Sequence, residues 1–258
     1  MVVFDGAKLP IKTAEESARE YRREQKQIKA RELMDKGEIN KAKQILVSSI
    51  DITPEMAQKF INVLKQMNVS YIVAPYEADA QLCYLDRKGL IDIVCTEDSD
   101  LIAYGCRKII YKLDPSGNCL EIDKNNIYQS NKFIYFTENK FLQFCILSGC
   151  DFFKCPKFSV KTAYKYMNKY DTIEDVLTEL ILKNKITDDI INKFYDAYTT
   201  FKKQVVYCPT LEQTIHLNGE TITEENIDFC GKIYDHITSV DIATAEINPI
   251  NLQPYKKL

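Results

Sequence analysis

The sequence predicts an α/β protein with a mostly parallel central sheet flanked by helices, and three observations predict it. The stretches "VSYIVAP" at 69–75 and "IDIVCT" at 91–96 are β-branched and apolar on both sides, as strands covered on both faces are. Segments of helical character alternate with them along the chain. A length of 258 residues, 45% apolar and 28% charged, allows one large domain or a domain with a small appendage around a real core.

The elements follow in order. Residues 10–36 read as a helix, a second helix lies near 40–48, and Thr53 with Pro54 starts a third that runs to about Met67. After the first buried strand, "YEADAQLCYLDRKG" reads as a helix with acids in its first turn and Gly89 past its end. The second strand leads toward "KIIYKL" and "NCLEID", which flank the turn "DPSG" as a hairpin. "TENKFLQFCILSGCD" is a helix capped by Thr137, and helices near 160–168 and 173–184 come after it. From about 205 the pattern is less regular, with short strands and at least one further helix expected.

Composition narrows the function classes. There is no apolar run of 18 residues, and "MVVFDGAKLP" lacks the basic and apolar regions of a signal peptide, so a soluble intracellular protein with no membrane partner is expected. Nine scattered cysteines without a CxxC pair, and only His216 and His236, argue against a disulfide framework and against zinc. The net charge is −3 but is segregated: residues 8–31 carry +4, which leaves −7 on the rest.

The acids gather where strands and helices end. Asp5 follows "VVF", Glu77 and Asp79 follow "YIVAP", Asp98 and Asp100 follow "DIVCT", and Asp151 closes "FLQFCILSGC". Ligands bind beyond the carboxyl ends of strands in such sheets, so these segments are expected to converge. In an extended stretch Asp98 and Asp100 would point the same way and Glu97 the other. Taken singly, each acid could cap a helix or a turn; together they would repel one another unless cations neutralise them. Hard divalent ions that prefer oxygen ligands, magnesium or manganese, suit this donor set, and two of them would support phosphoryl hydrolysis. A nuclease or phosphatase is therefore expected. On the first helix Lys12, Arg19, Arg23 and Lys26 fall within about 60° of one another, with Ile11, Ala14, Ala18, Tyr21 and Ile28 behind them. Such a basic stripe can hold the phosphates that the acids repel, although a solvated face with Glu16, Glu20 and Glu24 has the same pattern.

"VFDG", "APYEADAQL", "TEDSDLIAYG" and "CILSGCD", in this order, resemble the structure-specific 5′ nuclease family that includes flap endonuclease and exonuclease 1, with the exonuclease 1 branch the nearer by "NCLEID" and "FKKQVVYCP". The resemblance implies a PIN-like 5′ nuclease fold with a nuclease core at 1–152, a helical arch at about 10–48, a helix-two-turns-helix region at 153–210, and a wrap or extension at 211–258. It implies a monomeric nuclear enzyme that degrades DNA 5′ to 3′ at recessed ends, nicks and gaps, cuts 5′ flaps, and works with mismatch-repair proteins in repair, recombination and end resection. It makes Asp5, Glu77, Asp79, Asp98, Asp100 and Asp151 the ligands of two magnesium ions, which manganese can replace. Lys12 and Arg19 become catalytic contacts to the scissile phosphate, and Arg22, Arg23 and Lys26 become further DNA contacts of the arch.

Two departures from the family pattern lead to further expectations. The family's first segment, with its own strand and aspartate, has no counterpart in a chain starting at "MVVFDG", so the sheet is expected to lack a strand and the metal site a ligand. A DNA-junction binding fragment with impaired catalysis is the alternative this suggests, and an RNA-cutting nuclease is another. The family's glycine-rich hairpin, which meets a phosphate through a potassium ion, is replaced by "CPKFSVKTAYKYM"; Phe158 and Ser159 stand in glycine places, and Lys157, Lys161 and Lys165 would be compensating DNA contacts, although lysines at that helical spacing also suit a solvated face.

Overall fold

The computed structural model describes residues 1–155, 158–219 and 227–255. The elements run β1 (Val2–Phe4), a 3-10 turn at Pro10–Lys12, α1 (Thr13–Asp35), α2 (Ile39–Val47), α3 (Pro54–Gln66), β2 (Tyr71–Val73) and α4 (Ala78–Arg87). There follow β3 (Val94–Cys95), α5 (Asp100–Tyr104), β4 (Lys108–Tyr111), β5 (Leu120–Asp123), α6 (Lys124–Gln129) and α7 (Glu138–Ser148). The chain continues through α8 (Val160–Lys169), α9 (Ile173–Leu182), α10 (Asp188–Lys203), β6 (Val205–Cys208), β7 (Gln213–His216) and α11 (His236–Ala243).

The parallel pairings are present, distributed over short ladders. β1 pairs parallel with β2, β3 pairs parallel with β4, β4 pairs antiparallel with β5 in the expected hairpin, and β6 pairs antiparallel with β7. Gly6, just after β1, lies so close to the β2 exit that a Cβ there would fall 1.9 Å from the Ala74 carbonyl oxygen. Only glycine fits, and the Gly6 N–H donates to the Tyr76 carbonyl. This clamp draws the turn carrying Asp5 against the start of α4.

Helix starts follow the capping signals. Thr53, Thr137, Ser159 and Thr172 each accept a hydrogen bond at their side-chain oxygen from the backbone N–H three residues on. One continuous core joins α4, α5, α7, α8, α9, α10 and β6 through residues such as Cys83, Leu101, Ile146, Met167, Leu180, Phe194, Phe201 and Val205. Removing their apolar surface from water supplies the main drive to fold, at about 25 cal/mol per Å². The chain beyond 205 folds back on the body: the Tyr71 hydroxyl donates to the Thr244 carbonyl, and the Gln58 amide to that of Ala245.

Four local expectations change. The 91–96 strand shrinks to two residues, and 98–100 is not extended: Asp98 Oδ1 accepts from the Asp100 N–H, which turns the chain into α5. The side expected behind the basic stripe of α1 is not packed, with Tyr21 62% and Ile28 48% exposed and only Ala30 buried along the helix. Instead α1 forms a hairpin with α2, tied by Arg23 to Asp51 at 2.8 Å and by Lys26 Nζ to the Ser48 carbonyl at 3.2 Å. Helix α10 was not anticipated, although Ile190, Phe194, Ala197 and Phe201 recur at helical spacing, three of them fully buried.

Candidate active site

Four separate segments deliver the acids to one region. The turn after β1 brings Asp5, whose Oδ1 accepts from the Ala78 N–H at 2.8 Å and so fastens that turn to the N-terminus of α4. Glu77 stands at the N-cap of α4, and Asp79 lies in its first turn. The bend between β3 and α5 brings Asp98 and Asp100, and the turn after α7 brings Asp151. Glu97 points elsewhere: its Oε1 accepts from the Lys112 N–H beside the hairpin.

The electrostatics record this convergence. Burial, and then the charges of Asp98, Glu77, Asp5 and Asp100, push the Asp79 carboxyl up to about 8. Burial, with Asp98 and Asp151 adding to it, pushes Asp100 up to about 6. Glu77 rises to about 7 because burial and the neighbouring acids outweigh its contact with Lys12. Asp151 is the exception: its burial would raise it, but Lys12 and Arg19 hold it below the usual carboxylate range.

Lys12, in the 3-10 turn, and Arg19, on α1, face this cluster. Lys12 Nζ lies 2.5 Å from Glu77 Oε1, 3.0 Å from Asp151 Oδ2 and 5.3 Å from the Phe152 ring centre. Burial alone would lower the Lys12 pKa; Glu77 and Asp151 turn the shift upward and keep the ammonium charged. Arg19 Nη2 is 2.7 Å from Asp151 Oδ2. Arg22 reaches Glu15 at 2.8 Å, beside Arg19, whereas Arg23 and Lys26 turn toward Asp51 and the α2 end, so the stripe divides along its length. Lys161 and Lys165 are exposed on α8, and Lys157 lies outside the described residues. Ser159 caps α8 and the Phe158 ring lies tilted against that of Tyr166, so both residues in the glycine places have packing or capping partners.

An open cleft runs from Asp98, Asp100 and Asp151 past Gly149, Cys150 and Lys154 to Phe158 at the entrance of α8. Its acids offer only oxygen donors, and burial first, with neighbouring carboxylates adding to it, disfavours charge on Asp79, Glu77 and Asp100; both features suit hard divalent ions. Among the described residues no three acidic, histidine or cysteine side chains already close around a single point. Lys12 and Arg19 occupy oxygens of Glu77 and Asp151. Sequence reasoning missed Glu15 and Lys154, which join at 2.6 Å across the mouth of the cleft; an acid and a lysine so far apart in the chain carry no pairing signal.

Residues 68–151 match the family model described as the XPG I-region, a span that contains five of the six acids. The chain is 36% identical over 261 residues to exonuclease 1 of Oryza sativa, covering 99% of this chain and 31% of that protein. It is 34% identical over 256 residues to exodeoxyribonuclease 1 of Schizosaccharomyces pombe, covering 97% of this chain and 45% of that one. It thus spans a third to under half the length of these relatives. The catalytic core of Rad2 in complex with DNA substrate shares the fold, with a TM-score of 0.51 at 20% identity over 76% of this chain and 62% of that one. Among the described residues no helix is long and apolar enough to cross a membrane.

Proposed function

The chain belongs to the structure-specific 5′ nuclease family that includes exonuclease 1, and from that premise we propose that it is a metal-dependent nuclease degrading DNA 5′ to 3′ and cutting 5′ flaps. The observation that carries this reading is the meeting of carboxylates from four segments, with Lys12 and Arg19 set against them. A phosphodiester entering from the arch side would meet both cations before it met the acids.

In this proposal Asp5, Glu77, Asp79, Asp98, Asp100 and Asp151 hold two magnesium ions, or manganese in their place. When bound, such ions supply an activated water and charge stabilisation at the leaving oxygen. The chain's own cations do the rest. Lys12 and Arg19 leave Asp151 for the phosphate oxygens and stabilise the charge that grows there in the transition state. Their attachment to Glu77 and Asp151 in the free protein keeps both side chains aimed into the site. Arg22, Arg23 and Lys26 follow the DNA backbone along the arch, and Lys161 and Lys165 do so on α8. A potassium ion before α8 would meet Phe158 and Ser159 in place of glycines. The nuclease core at 1–152, the helix-two-turns-helix region at 153–210 and the wrap at 211–258 are the working division. Recessed ends, nicks, gaps and flaps of DNA are the substrates, mismatch-repair proteins the partners, the nucleus the site of action, and the monomer the working unit. The nuclease names of the relatives favour hydrolysis over a junction-binding role without it.

The test is cleavage of a 5′-recessed duplex in magnesium by the wild type and by Asp98→Ala. The variant should lose hydrolysis and keep DNA binding, because an acid removed from the cluster also removes repulsion toward phosphate. Near-normal turnover by the variant would show that the acid cluster is not the active site.

A further inference from the structure

Helix α1 is 23 residues long and buries only Ala30. Its principal packing partners are α2, the other half of its own hairpin, and the 3-10 turn that precedes it. Apolar anchorage therefore does little to set the angle of its N-terminal half over the cleft. Two ionic ties reach from that half to the turn after α7: Arg19 to Asp151, and Glu15 to Lys154. They differ in their relation to substrate. Arg19 and Asp151 both belong to the machinery proposed above, and a phosphate or a cation would draw them apart. Glu15 and Lys154 are not among the groups proposed to hold the ions or the scissile phosphate, although Lys154 borders the same cleft.

Glu15 is built as a junction. Its Oε2 lies 2.6 Å from Lys154 Nζ, while its Oε1 lies 2.8 Å from Arg22 Nη2 and 3.6 Å from Arg19 Nε. Its side chain is only 15% exposed, although the Lys154 side chain is 66% exposed. One oxygen thus faces the body and the other gathers two arginines of the arch, and the two functions do not compete for the same lone pairs.

We propose that Glu15 and Lys154 form a strut that fixes the arch over the acidic cleft, and that Glu15 is a positioning residue that presents Arg19 to the scissile phosphate. Lys154 is the clean member to test, since the contacts of Glu15 with Arg19 and Arg22 survive its removal. The inference rests on the nuclease reading for its effect on catalysis but not for its effect on the arch. The experiment therefore uses two readouts on wild type, Lys154→Met and Lys154→Arg.

The first readout is amide hydrogen exchange of residues 13–23 in the full chain without DNA or divalent ion. An exposed ion pair contributes about 0.2–1 kcal/mol, so Lys154→Met should speed exchange there about 1.4- to 5-fold while α7 and α8 are unchanged. Lys154→Arg should restore wild-type exchange, and 0.5 M salt should affect the wild type more than Lys154→Met. Unchanged exchange at 13–23, an equal rise across α7 and α8, or failure of Lys154→Arg to restore protection would each overturn the strut. The second readout is single-turnover cleavage of a 5′-recessed duplex. Lys154→Met should lower the rate constant several-fold with little change in half-saturating DNA, and Lys154→Arg should recover it. If exchange responds as described but no protein cleaves, wild type included, the strut stands and the nuclease reading fails.

Discussion

Replacing Asp79 with asparagine should make the metal-free protein more stable at alkaline pH, an unusual outcome for a half-buried polar group. Asp79 lies in the first turn of α4, and burial together with Asp98, Glu77, Asp5 and Asp100 raises its carboxyl from 3.8 to about 8. The folded-state pKa is above the unfolded one, so between those values the native state binds more protons and stability falls as pH rises. Below about pH 4 both states are protonated and the cost vanishes; above about pH 8 it is complete. At 1.36 kcal/mol per unit, an elevation of about four units has a ceiling of about 5–6 kcal/mol. The repulsion is shared among the neighbouring carboxylates, and an ionised Asp79 is favoured by the α4 dipole by about 0.3–1 kcal/mol, so a net gain of about 1–3 kcal/mol is expected. Asn keeps the shape without the charge. Urea unfolding of wild type and Asp79→Asn in EDTA at pH 5 and pH 8.5 measures the effect. The variant should be clearly more stable at pH 8.5, with a much smaller margin at pH 5, and excess magnesium should narrow the gap by binding the wild-type native state. A variant no more stable than wild type at pH 8.5 in EDTA would refute the convergence of these acids as an uncompensated cluster.

Two further outcomes test other parts of the site. Lys12→Ala should slow the single-turnover rate about 10²- to 10³-fold with a smaller change in DNA affinity, since its ammonium serves the developing charge; an unchanged rate would show that Lys12 does not act on the scissile phosphate. Gly6→Ala should destabilise the fold by about 2–3 kcal/mol, because the new methyl meets the Ala74 carbonyl and the β1 turn must move. A denaturation midpoint equal to that of wild type would show that the Asp5 turn is not clamped there.

Much of the framework was legible in the chain. Apolar runs at 69–75 and 91–96 marked strands, Thr53 and Thr137 marked helix starts, and "DPSG" marked the hairpin, because each signal acts over a few residues of local backbone chemistry. The acids stood out for the same reason, each at the end of an element. Helix α10 is marked as clearly by the helical spacing of Ile190, Phe194, Ala197 and Phe201.

The linear chain carries the inventory: strands feeding acids, a basic arm, and the donor chemistry that calls for hard cations. Tertiary structure alone decided how those groups meet. It turned Asp98 and Asp100 through a bend into α5, placed Lys12 between Glu77 and Asp151, divided the basic stripe between the cleft and Asp51, and joined Glu15 to Lys154 across 139 positions of chain. The physical reason is range. Caps, turns and periodicity act within a few residues, whereas burial, charge repulsion and ion pairing depend on which segments the folded core brings together, and a linear pattern carries no record of that distance.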